Sequence, residues 1–158
     1  MSDVPVPLPP PLNYKNGWAA VARFGGVGDN LMAASPLKLL KEKFGKIEVL
    51  TCPPQHVVFE NNPYIDKLSV SSKEFIPVDS SAKWHDWFRG KAQEFEAFYH
   101  VSHSCETLLA LFPTQTQFWW PASYRRRMCF ASYLETIHNI CEVPLEFSPL
   151  FFASAEEK

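Results

Sequence analysis

Short apolar runs alternate with amphipathic segments along the chain. Trp18-Ala19-Ala20-Val21-Ala22, continuing to Phe24, has the unbroken apolar character of a strand buried on both faces. Leu37, Leu40 and Phe44 recur at helical spacing, with Lys38, Lys41, Glu42 and Lys43 mostly opposite, and Gly45 ends that helix. Ile47-Glu48-Val49-Leu50-Thr51 predicts a second strand. Pro53-Pro54 predicts a helix carrying Val57, Val58 and Phe59 to about Asn61, where Asn62-Pro63 breaks it. Leu68-Ser69-Val70 is a weaker third strand. A polar link through Pro77 to Ser81 leads to a helix over residues 82–96, with Trp84, Trp87, Phe88, Lys91 and Phe95 as its inner stripe. Residues 97–102 predict a fourth strand and 105–112 a short helix. Phe118-Trp119-Trp120-Pro121 predicts a loop or stub strand, and 124–141 a long helix stopped by Glu142-Val143-Pro144. This order predicts an α/β fold: a Rossmann-like, doubly wound, mostly parallel sheet with helices on both faces.

The most informative segment is Arg23-Phe24-Gly25-Gly26-Val27-Gly28-Asp29-Asn30, which joins the first strand to the first helix. Open α/β sheets place ligands at the carboxyl ends of their strands, where this loop falls. Gly25, Gly26 and Gly28 allow backbone to approach a ligand closely. They do not form the G-x-G-x-x-G fingerprint of dinucleotide sites. Asp29 would project into the crevice as a proton acceptor or ligand contact. The plainer reading makes it a helix cap, a task Asn30 could also perform. Farther along, Ser35-Pro36 predicts either a kink or a fresh N-cap and first helical residue.

Composition narrows the class. At 158 residues the chain is long enough for one domain with a real core, and its 46% apolar content is ordinary for a folded protein. A net charge of -2 gives no general affinity for nucleic acid. Cys52, Cys105, Cys129 and Cys141 have no zinc-ligand spacing and are expected as mostly buried thiols. No apolar run reaches the ~18 residues of a membrane span. Residues 1–14 are expected as a proline-rich tail of extended character, 15–147 as the domain, and 148–158 as a linker or tail.

Gly25-Gly26-Val27-Gly28-Asp29 with Ser35-Pro36 resembles the opening loop of the heptosyltransferase-like glycosyltransferases of family nine, which have GT-B architecture. Lys41 to Thr51, Glu60-Asn61-Asn62-Pro63-Tyr64-Ile65-Asp66, and Tyr99-His100-Val101-Ser102 followed by Glu106 are similar to later segments of that family. The resemblance covers about residues 18 to 150, the acceptor-side domain in such enzymes. It implies metal-independent sugar transfer from a nucleotide-sugar co-substrate to a glycan or glycolipid hydroxyl, with Asp29 as general base. It implies no permanently bound cofactor, and donor contacts from a second Rossmann-like domain that this sequence does not include. The family offers Ser35 a threonine counterpart. The expected setting is cytoplasmic, peripheral to a membrane at most. The alternative is a non-catalytic Rossmann-like module that binds a nucleotide or a protein.

Three further candidates remain. Arg125-Arg126-Arg127 opens the predicted long helix, where cations oppose the macrodipole and suggest a bound anion; a solvated face is the plainer reading. Ser102 and His103 fall at the end of the fourth strand, as acceptor contacts or as turn residues. The aromatic run at Phe118 could stack on a sugar or fill a core or interface.

Overall fold

The computed structural model describes residues 15–72, 81–102, 113 and 116–156. Four strands, β1 (Lys15–Ala22), β2 (Lys46–Thr51), β3 (Lys67–Val70) and β4 (Phe95–His100), form one sheet in the order β3-β2-β1-β4. Every pairing is parallel. This is the strand order of a doubly wound half-sheet, with the chain reversing its direction of travel between β1 and β4. Such a reversal leaves a crevice outside the carboxyl ends of those two strands.

Alternation along β1 divides the core between the two faces. Ala19 and Val21 join Ile47, Val49 and Tyr99 under α1 (Val27–Ala33), α2 (Leu37–Phe44) and α5 (Tyr133–Ile140). Ala20 and Ala22 point the other way, against Leu50, Phe95 and Phe88 of α3 (Ser81–Ala92). Small residues on β1 let helices approach the sheet closely from both sides. Burying Leu37 and Leu40 contributes roughly 2 kcal/mol each. Glu48 lies on the α3 side of β2 and is buried, yet it accepts bonds from Lys15, Lys67 and Ser69. Burial pushes its carboxyl up, but the bonds from Lys15, Ser69 and Lys67 outweigh it and leave it below its ordinary value.

Several boundaries differ from the sequence expectation. β1 and β2 begin earlier than expected. The predicted helix after Pro53-Pro54 is a single 3-10 turn, Gln55–Phe59. The helix expected to Glu96 stops at Ala92, and Phe95 opens β4, where it pairs across to Lys15 and buries against the second core. A period of two, with Phe95 in and Glu96 out, wins there over the helical stripe. The stretch before Pro121 is another 3-10 turn, Thr116–Trp119. The long final helix is two helices, α4 (Ala122–Phe130) and α5. Ser132 divides them: its Oγ accepts the Glu135 N–H at 3.1 Å, and Glu135 accepts the Ser132 N–H at 3.4 Å. A serine that can cap competes with continuing the helix. Pro36 likewise starts a fresh helix, standing itself at the N-cap of α2.

Residues 143–156 form no helix or strand, and Glu146 pairs with Lys38 of α2. Ser148 Oγ donates to the Ser35 carbonyl at 3.3 Å, and Phe152 meets Tyr64 edge-on at 6.0 Å. Cys52 and Cys141 are buried as expected, whereas Cys129 is exposed. The proline-rich tail, the side chain of Trp84 and the helix expected over 105–112, with Cys105 and Glu106, lie outside the described residues.

Candidate functional site

The loop after β1 is laced to its neighbours before it offers anything to a ligand. The Arg23 N–H donates to the Leu50 carbonyl at 3.0 Å and the Val101 N–H to the Ala22 carbonyl at 3.0 Å. Phe24 N–H donates to Ser102 Oγ at 2.6 Å. Ser102 therefore pins the two strand ends together, and it is fully buried.

Arg23 is the hub. Its side chain is 2% exposed, unusual for a guanidinium, and both of its terminal nitrogens find acceptors. Nη1 donates to the Val101 carbonyl at 2.8 Å, and Nη2 donates to Tyr133 Oη at 2.7 Å. Nη2 also lies 3.1 Å from Asp29 Oδ2. Asp29 Oδ2 accepts the Gly26 N–H at 2.9 Å, and Oδ1 accepts from Tyr133 Oη at 3.3 Å. The carboxylate is 38% exposed, so Asp29 is the open end of an otherwise buried chain of bonds.

Asp29 is the third residue of α1, with Gly26 at the N-cap. Asp29 is therefore not the N-cap weighed from the sequence; from the third position it reaches back to the Gly26 N–H, and the same side chain also meets Arg23 and Tyr133. Asn30 does not share the capping. It is buried, donates through Nδ2 to the Gly26 carbonyl at 2.8 Å, and accepts from Thr51 Oγ1 at 2.9 Å. Its part is to fix the loop onto β2.

The three glycines differ. A Cβ on Gly25 would stand 2.9 Å from Asp29 Oδ2, so only glycine admits the carboxylate at that point. Gly26 would place one at 3.4 Å from the same oxygen, and Gly28 would meet nothing within 4 Å. Gly28 is thus the glycine whose presence packing does not require.

The remaining candidates fall elsewhere. Arg125 and Arg126 do not open a helix: α4 starts at Ala122, just after Pro121, and Arg127 already lies in its last turn. The macrodipole inference for a bound anion loses its basis there. Arg125 Nε donates to the Trp120 carbonyl at 3.1 Å, while Arg126 is exposed. His103 lies outside the described residues. Among the described residues, no group of three or more histidines, cysteines and carboxylates is placed to hold a metal ion.

Sequence reasoning missed Arg23 and Tyr133. A lone arginine at the end of an apolar strand was a usable signal, because a cation there must find partners. Tyr133 carried none, since it comes from 110 residues away.

The fold and this cluster together define a doubly wound α/β unit with a clamped carboxylate at its switch point. No protein-family model matches the chain, and no curated protein matches it. Among solved structures, the chain is similar to a glycosyl transferase family 9 protein from Veillonella parvula, at 19% identity and a TM-score of 0.39. That match covers 54% of this chain and 26% of the other, so it spans about a quarter of that protein's length.

Proposed function

We propose that this chain is the acceptor-side half of a GT-B glycosyltransferase, with Asp29 receiving the proton of an acceptor hydroxyl. The observation that supports the reading most is the 38% exposed Asp29 carboxylate, standing at the end of β1 where the strand order reverses. A sugar hydroxyl becomes a competent nucleophile when a carboxylate within hydrogen-bond reach takes its proton. Oδ2 is committed to the Gly26 N–H and Arg23, so Oδ1 is the oxygen that would take it. Tyr133, at 3.3 Å from Oδ1, would yield or share that position. Arg23 holds the carboxylate in place and would not touch the sugar. The nucleotide-sugar would be held mainly by a second domain, which also would exclude water on closing.

The test is a thermal-shift titration of the full chain with a hexose phosphate, glucuronate, UDP and UDP-glucose. A ligand that binds only the folded state raises the midpoint by mass action. The expected result is stabilisation by the hexose phosphate and glucuronate through a sugar hydroxyl on Asp29, lost in Asp29→Asn, with little response to UDP. Stabilisation by UDP alone would overturn the reading in favour of a nucleotide-binding module. Once a donor domain is supplied, undiminished transfer by Asp29→Ala would remove Asp29 from the chemistry.

A further inference from the structure

The α4 helix is unlike the others, because its largest side chains face outward. Phe130 is 84% exposed, and Trp119, in the 3-10 turn just before α4, is 74% exposed. Arg126 and Arg127 are exposed as well. Among the described residues neither has an ion-pair partner; Arg127 instead lies over the Tyr124 ring at 5.2 Å. Helical spacing puts Arg126 and Phe130 four apart, Arg127 and Phe130 three apart, and Tyr124 and Arg127 three apart. Arg126, Arg127 and Phe130 therefore share one face, with Tyr124 at its edge beside Arg127. Tyr124, Arg127 and Phe130 also line a cleft of about 640 Å³ between α4 and α5, with Glu135 and Asn139 opposite. Glu135 is occupied by the Ser132 cap.

A solvated helix face is polar, and a core-facing stripe is apolar without charge. A face that combines exposed aromatics with unpaired arginines matches a different medium, one with anions at its surface and hydrocarbon just below. We propose that this face of α4, with Trp119 beside it, docks on an anionic lipid surface. Phe130 would enter the headgroup boundary, and Arg126 and Arg127 would meet lipid phosphates. Charge complementarity favours lipid over the other candidates. The chain as a whole carries a net charge of -2, and the two exposed arginines of this face are too small a footprint for nucleic acid. A second copy would bring the same arginines face to face. The docking face lies beside the crevice: Phe130 precedes by three residues the Tyr133 whose phenol reaches Asp29. The inference does not depend on the reaction proposed above, since it is read without any transfer assay.

The experiment is co-sedimentation of the full chain with phosphatidylcholine vesicles, and with vesicles of equal parts phosphatidylcholine and phosphatidylglycerol. Binding to the mixed vesicles only, weakening as salt is raised, is expected. Arg126→Ser combined with Arg127→Ser should lower the partition coefficient about 30-fold, roughly fivefold for each cation lost. Phe130→Ser should lower it by about tenfold through lost apolar contact. All three positions are exposed or face solvent, and circular dichroism and urea midpoints matching the parent chain verify folding. Failure to pellet with either vesicle, equal pelleting with both, or indifference to the arginine changes would each overturn the proposal. So would a dimer abolished by Phe130→Ser, or retention of RNA in place of vesicles.

Discussion

Gly25 and Gly28 sit three residues apart where β1 turns into α1, and the packing around them gives one added methyl group opposite effects. At Gly25 the new Cβ would lie 2.9 Å from Asp29 Oδ2 and 3.4 Å from Arg23 Nη2. A loose carboxylate would swing away at little cost. This one cannot, because the same oxygen accepts the Gly26 N–H and pairs with Arg23. Displacing it gives up part of a helix cap, worth about 1 kcal/mol. It also weakens an ion pair whose carboxylate is partly solvated, worth up to about 1 kcal/mol. Alanine restricts the unfolded chain and returns about 0.5 kcal/mol. Gly25→Ala should therefore lose about 1 kcal/mol. Gly28 is the second residue of α1, with no atom within 4 Å of an added Cβ. Alanine exceeds glycine by about 0.8 kcal/mol inside helices and by less in the first turn, so Gly28→Ala should gain about 0.5 kcal/mol. The two variants should differ by about 1.5 kcal/mol, roughly tenfold in the folding equilibrium. Urea unfolding with unchanged m-values measures the gap. Equal shifts of the same sign would refute the close packing at Gly25, and with it the clamp on Asp29. The stable Gly28→Ala chain then serves a second purpose. If it no longer responds to sugar anions, a ligand approaches the backbone there.

Other substitutions probe the same framework. Arg23→Met removes a buried donor from the Val101 carbonyl and from Tyr133 and leaves Asp29 without its cation, so a loss of about 3 kcal/mol is expected in urea unfolding; a loss under about 1 kcal/mol would mean that Arg23 is not the hub. Tyr133→Phe removes the phenol between Arg23 and Asp29 and should cost about 1 kcal/mol, with a paired Asp29→Asn cycle revealing coupling between the two; strict additivity would show that the 3.3 Å contact has no energetic content. Ser132→Ala should cost about 1 kcal/mol while Ser132→Asp holds its own, because only the latter can cap α5; equal losses would deny the cap. Glu48 is held below its ordinary value, so its stabilisation is complete above the usual carboxylate range and disappears as pH falls through the lowered folded value. Glu48→Gln should therefore be less stable near neutrality and flatten the acid limb of midpoint against pH; an unchanged acid limb would contradict the assignment.

What could be read from the sequence was what neighbouring residues decide together. The strands at Val21 and Val49, the loop from Gly25 to Asp29 and the Gly45 terminator each depend on a few adjacent positions, and each stands close to where the pattern puts it. The break before α5 was equally readable, since Ser132 and Glu135 carry the spacing of a capping box, but the reading of one helix over 124–141 passed across it. Arg125 and Arg126 were misplaced for the opposite reason: Pro121 sets the helix start, and a shift of two residues moved the cations out of the first turn. The Asp29 site divides along the same line. Its position follows from the loop, but its neighbours come from β1, from the end of β4 and from α5, and no local pattern joins those. A motif can say that a carboxylate stands at the crevice. What each oxygen meets follows only from the folded partners: Oδ2 is held by the Gly26 N–H and by Arg23, and Oδ1 accepts from the Tyr133 phenol.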